Sequence, residues 1–186
     1  MARKGLTEEI VIDAAARLIS EKGYDNFSLH GLAAELGIKT ASLYNHIASS
    51  QKLVAKVGER VLLQLKQTVW NDTAGKSGTD AIEALANGYR RFAKENPELY
   101  QLILLIPELG DDEFTTTGRT LMADLYELLS PFCLTREEQV HIGRMIRSSM
   151  HGFISLEQAG FFTTPYDADS SYRYMIDSFI RMLSEK

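Results

Sequence analysis

The chain has 186 residues, with 20 Lys and Arg against 25 Asp and Glu for a formal net charge of −5, and it holds a single cysteine. That length accommodates one sizeable helical body or a small domain with a larger one, and one cysteine excludes both an intrachain disulfide and a four-cysteine zinc site. The longest unbroken apolar stretch, Leu102 to Ile106, is far too short to cross a bilayer, and no secretory apolar region follows Met1 to Lys4, so a cytoplasmic location is expected.

The first predicted helix runs from Leu6 to Lys22. Thr7 caps it, Glu8 and Glu9 sit in its first turn, and Ile10, Ala14, Leu18 and Ile19 line one side. Gly23 ends it. Ser28 then caps a short helix with Leu29, Leu32, Ala33 and Leu36 at helical spacing, and Gly37 supplies a turn without steric cost. A second short helix starts at Lys39. Leu43 and Ile47, four apart, are predicted to face the core, leaving Lys39, Thr40, Ser42, Asn45 and His46 directed outward. Two short helices joined by a glycine turn make a helix-turn-helix, whose polar outer face suits a DNA major groove. A solvated hairpin surface is the plainer alternative.

From Ser49 a long fourth helix carries Leu53, Val54, Val57, Val61, Leu62 and Leu65 towards Trp70, and Asn71 to Gly78 reads as a polar loop. Thr79 caps a helix to Lys94, and Asn96-Pro97 starts another ending near Pro107. Pro107 to Phe114 reads as an acidic turn, and Thr116 to Ser130 as a helix. Thr135-Arg136-Glu137-Glu138 is a capping box opening a long helix to about Gly160, and Asp169 to Glu185 forms the last. The expected fold is therefore all-α, with about nine helices and no convincing strand. Charge divides unevenly along it: residues 1–60 hold eight basic and seven acidic residues, and residues 61–186 hold twelve and eighteen. Arg3, Lys4, Lys39, Lys52 and Lys56 are placed to supply a favourable local field for a polyanion despite the acidic total.

Ala14-Ala15 to Leu18, Gly23-Tyr24, Phe27-Ser28, Leu32-Ala33, Leu36-Gly37-Ile38 and Ser42-Leu43-Tyr44-Asn45-His46-Ile47 together resemble the tetracycline-repressor family of bacterial regulators. The likeness spans residues 7 to about 55. It departs at Ile47, where the family often has an aromatic, and at Ser49-Ser50-Gln51, where a Ser-Lys-Glu-like start is common. Ser50 removes a common phosphate-contacting lysine, for which Lys52 is near enough to substitute in part. The resemblance implies a DNA-binding domain over 1–48 and a helical effector-binding and dimerisation domain over 49–186, with 49–70 as the connecting helix. It implies phosphate contacts from Ser28, Tyr44 and His46, which set register, and base-edge contacts from Lys39, Thr40, Ser42 and Asn45. It also implies a double-stranded DNA operator as partner, repression as the usual output, and no cofactor.

Ser148, Gly152, Ser155 and Ala159 form a stripe of small residues on the penultimate helix. Met175, Ile176, Phe179 and Ile180 belong to a broad apolar face on the last. Both faces suit burial within one subunit, and equally a two-fold four-helix bundle, which matches how the family dimerises and gives a palindromic operator its symmetric reader. The segment Ser148 to Gly160, containing His151-Gly152, also resembles a C-terminal domain named for a Trp-His-Gly motif, although its tryptophan is absent here. Tyr89, Phe92, Tyr100, Ile103, Met122, Tyr126, Met145, Ser149 and Phe153 are candidate walls of an effector pocket, while most are expected to be core. By the same resemblance, a ligand among the fourth to eighth helices displaces the fourth. That changes the separation of recognition elements that must span about 34 Å, one turn of duplex.

A helical metal-dependent enzyme is the rival class, since Glu138-Gln139-Val140-His141 is a Glu-x-x-His sequence. A carboxylate-bridged two-metal site needs a second such motif. The residues three before His30, His46 and His151 are Phe27, Leu43 and Ser148. Asp111-Asp112-Glu113 has no acidic counterpart that would complete a magnesium site, and no phosphate loop or nucleophile elbow occurs. Neither a metal nor an enzymatic activity is expected.

Overall fold

The computed structural model describes residues 5–109 and 112–185, without the side chains of 104–117. Among the described residues there are nine α-helices and no strand: α1 Glu8–Lys22, α2 Leu29–Leu36, α3 Thr40–Leu43, α4 Ser50–Thr73, α5 Gly78–Glu95, α6 Pro97–Leu109, α7 Asp112–Leu128, α8 Arg136–Gln158 and α9 Ala168–Ser184. Single 3-10 turns follow α1 and α7, at Tyr24–Asn26 and Ser130–Phe132. Arg3, Lys4 and Asp111 lie outside the described residues. The chain divides into two compact units, Met1–Gln64 with Asn96–Thr117, and Leu65–Glu95 with Gly118–Lys186.

Local chemistry accounts for most boundaries. The Thr7 hydroxyl accepts from the Ile10 N–H, which satisfies one of the free donors at the start of α1. At α8 the capping box is complete: Thr135 Oγ1 accepts from Glu138 N, and Glu138 accepts from the Thr135 N–H at 2.9 Å. The Asp167 carboxylate accepts from Ser170 N to open α9. That bond is the chief reason its pKa is held below the usual carboxylate range. α7 begins at Asp112, four residues earlier than the sequence reading places it, because Asp112 to Thr117 contains neither glycine nor proline to halt a helix. α4 likewise continues past Trp70 to Thr73, whose hydroxyl donates to the carbonyl of Val69 instead of competing with the helix.

In the first unit α1 packs against α2, α6 and the 3-10 turn, with Val11, Ala15, Leu18, Ile19, Leu32 and Leu43 buried. Two small residues in α1, Ala14 and Ala15, let the neighbouring helices approach closely. Lys56 pairs with Glu8 at 2.5 Å, and Arg60 reaches both Glu9 and Asp13, so a charged seam joins α1 to the first part of α4.

In the second unit α5 packs on α8 and α9 around Ile82, Tyr89, Ile146, Ile154, Ile176 and Phe179. A β-carbon at Gly143 would stand 2.9 Å from Tyr126 Cε1, so glycine is what lets α8 meet the Tyr126 ring. Arg90 is only 8 % exposed and lies over the Tyr172 ring at 4.6 Å. It donates to both carboxylate oxygens of Glu157, at 3.0 and 2.6 Å, and pairs with Asp169 at 2.7 Å. Lys94 joins the same two carboxylates. Arg90 hydrogen bonding is the main reason the Glu157 carboxyl is held below its usual pKa. Tyr172 donates to the Ala86 carbonyl at 2.8 Å, and burial pushes its phenol well above the ordinary value.

Candidate nucleic-acid interface

Residues 28–47 are shaped by three local devices. The Ser28 hydroxyl accepts from the Gly31 N–H at 3.1 Å and opens α2. Gly37 closes it in the left-handed region at φ 66°, where a side chain would crowd the backbone, and its N–H together with that of Ile38 satisfies the carbonyls of Ala34 and Ala33. Leu43 and Ile47 are then both buried, which anchors the second limb of the motif by its inner face.

The second limb is shorter than a full recognition helix. α3 ends at Leu43, and the chain continues through i→i+3 bonds from Asn45 N to Ser42 O and from His46 N to Leu43 O at 2.8 Å. Asn45 and His46, expected on the helix, stand instead on this tightened turn. Thr, Ser and Asn have weak helix preference, so the short helix that starts at Thr40 is poorly propagated. In a three-residue turn side chains three apart eclipse one another, which stacks Ser42 and Asn45 on one side.

Tyr44 is 56 % exposed, Ser28, Lys39 and Asn45 are exposed, and Thr40, Ser42 and His46 are half-buried. The surrounding charge differs from expectation at Lys56, which is engaged by Glu8 and therefore adds little net field. Arg17 is similarly paired with Glu35 at 3.2 Å. Lys39 and Lys52 are exposed, and the Ser49 hydroxyl caps α4 by accepting from the Lys52 N–H.

The other predicted site residues scatter. Tyr100 and Ile103 are buried in the first unit, and Tyr89 and Phe92 in the second. Met122, Tyr126, Ser149 and Phe153 are half-buried in the second unit, and Met145 is exposed. Tyr126 carries Arg136 over its ring at 4.5 Å, and Phe153 meets Phe162 in a tilted pair with ring centroids 4.7 Å apart. None of the nine lines the cavity of about 450 Å³ in the second unit, which is walled by the C-terminal part of α4, the loop after it, Leu85 and the end of α7. That cavity was missed because its walls, including Trp70 and Leu125, are separated along the chain.

On α8, Ser148 and Ala159 are exposed and Gly152 and Ser155 half-buried, and a β-carbon on Gly152 would meet nothing within 4 Å. On α9, Ile176 and Phe179 are buried within their own unit, while Met175 and Ile180 stay half-exposed. His151 shares a 3.4 Å hydrogen bond with Ser155, and burial, with Arg147 nearby, pushes its imidazole pKa down. The Glu-x-x-His sequence is used locally, since Glu138 serves the capping box and His141 faces Glu137 at 3.6 Å. Among the described residues no helix is long and apolar enough to cross a membrane.

Residues 11–57 match the profile of bacterial regulatory proteins of the tetR family, and residues 82–179 that of a tetracyclin repressor-like C-terminal domain. The latter description does not carry the narrower Trp-His-Gly designation. The chain is 30 % identical to the uncharacterized HTH-type transcriptional regulator YobS of Bacillus subtilis, over 96 % of this chain and 93 % of that one. It is 31 % identical to an uncharacterized HTH-type transcriptional regulator of Mycobacterium tuberculosis, over 83 % and 72 % of the two chains. In fold it is similar to BioQ, solved with its double-stranded DNA operator, with a TM-score of 0.75 at 18 % identity over 98 % of this chain and 100 % of that one.

Proposed function

The chain belongs to the tetR family of bacterial regulatory proteins, DNA-binding regulators of transcription, and from that premise we propose that it is a repressor that binds a palindromic operator as a homodimer and is released by a small-molecule effector. The observation that carries the reading is the helix-turn-helix itself, with Leu43 and Ile47 buried and Lys39, Tyr44 and Asn45 exposed on the opposite side. A polar face held rigid from behind is what base-edge recognition requires.

In this reading residues 1–48 read DNA, and residues 49–186, with 49–70 as connecting helix, bind the effector and form the dimer. Tyr44, His46 and Ser28 hold phosphates. Ser28 accepts one bond as a helix cap and keeps its O–H to donate. Lys39, Thr40, Ser42 and Asn45 meet base edges, and Asn45 has the donor and acceptor needed for adenine. The small-residue stripe on α8, open beyond Gly152, supports a two-fold contact there.

Selection of bound sequences from a random duplex library by the purified protein tests the reading. Enrichment of a palindrome, with loss of binding to a scrambled duplex at physiological salt, is expected. Failure of folded, dimeric protein to enrich any sequence refutes it.

A further inference from the structure

The cavity of about 450 Å³ in the second unit is large enough for a ligand of two or three rings. Its walls are mainly apolar and include Leu85, Leu121, Leu125, Leu128 and Trp70. Trp70 lines this cavity yet is 57 % exposed, an unusual state for a tryptophan. The charges in the lining cancel. Lys66 pairs with Asp124 at 3.1 Å, Lys76 Nζ donates to the Asp72 carbonyl, and Glu127 offsets Lys76 in net charge. A ligand carrying net charge would lose hydration there without meeting a surplus of opposite charge.

We propose that this cavity, between the C-terminal part of α4 and the end of α7, is a binding site for an uncharged planar aromatic compound stacked against Trp70. The proposal rests on the reading of this unit as effector-binding, and it moves the site away from the aromatic and methionine positions that the sequence suggests. Two of its lining residues just past the end of α4, Ala74 and Gly75, are small.

Trp70 is the only tryptophan in the chain, so its fluorescence reports on this site alone. The intact protein is titrated with N-phenylnaphthylamine, which is uncharged, and with its sulfonated analogue, anilinonaphthalene sulfonate. Saturable quenching of Trp70 with sensitised dye emission at one dye per chain is expected for the first, and binding about tenfold weaker or worse for the second. Leu121→Arg places a charge on the apolar wall and should weaken the uncharged dye at least about tenfold. Ala74→Phe, at an exposed lining position where folding is not at stake, should do the same by occupying the mouth. Unchanged dye affinity in Ala74→Phe, or dye binding without energy transfer from Trp70, overturns the site. Equal affinity for both dyes overturns the ligand class. Operator binding measured without dye reads the regulator function separately, so loss of one result leaves the other standing.

Discussion

Replacing Glu157 by Gln strips a nearly buried guanidinium of its best partner. Arg90 donates two bonds to Glu157, at 3.0 and 2.6 Å, and neither side chain is more than 17 % exposed. Removing one member of a fully buried pair costs about 3–5 kcal/mol. Here Asp169 remains at 2.7 Å but is itself mostly exposed, so part of the charge stays compensated by a well-solvated group. We therefore expect Glu157→Gln to cost about 2–3 kcal/mol. Arg90→Met should cost a similar amount, since Glu157 retains Lys94 at 3.2 Å while Tyr172 loses its overlying cation. Urea denaturation of both single variants and the double variant gives the coupling directly, expected at about 2 kcal/mol. Coupling under about 0.5 kcal/mol, the range of exposed pairs, would refute the burial argument. The pH dependence has a fixed sign. Glu157 has a depressed pKa when folded, so its contribution is full above the unfolded value of about 4.3 and is lost as pH falls through the lower folded value. The acid limb of the stability curve should accordingly flatten in Glu157→Gln.

Further outcomes follow from the reading head and the α8 surface. Tyr44→Ala should weaken binding to every duplex, by about tenfold if one phosphate contact is lost, whereas Asn45→Ala should mainly relax discrimination among sequences by about 1–3 kcal/mol. Anisotropy titrations against an enriched and a scrambled duplex separate the two, and uniform loss from Asn45→Ala would contradict its base-reading role. Gly37→Ala forces a side chain into a left-handed turn and should lower thermal stability by about 1–2 kcal/mol, read by circular dichroism. A β-carbon on Gly152 meets nothing within 4 Å, so, with the proposed two-fold contact at this stripe, Gly152→Phe should give monomers of native helix content in sedimentation. A persisting dimer would move the two-fold contact elsewhere.

Sequence alone determined what depends on neighbours within a turn or two. Thr7, Ser28 and Thr135 announce helix starts because their hydroxyls reach an N–H three residues on. Gly37 announces the reversal because only its backbone tolerates that geometry freely. The order and spacing of these signals sufficed for the all-α fold and the helix-turn-helix. What tertiary structure decided was everything set by contacts across the chain. Lys56 looked available for DNA until α1 brought Glu8 against it, and Arg90 on α5 is buried because Glu157, 67 residues away, closes over it. The apolar spacing of Leu43 and Ile47 predicts a helix through His46, and both residues are buried as that spacing requires, but α3 ends at Leu43 and the chain continues as a turn between them. The cavity beside Trp70 is the clearest case. Its walls come from helices whose approach is governed by side-chain volumes on both partners, and a periodic pattern on one helix carries no record of what the other leaves unfilled.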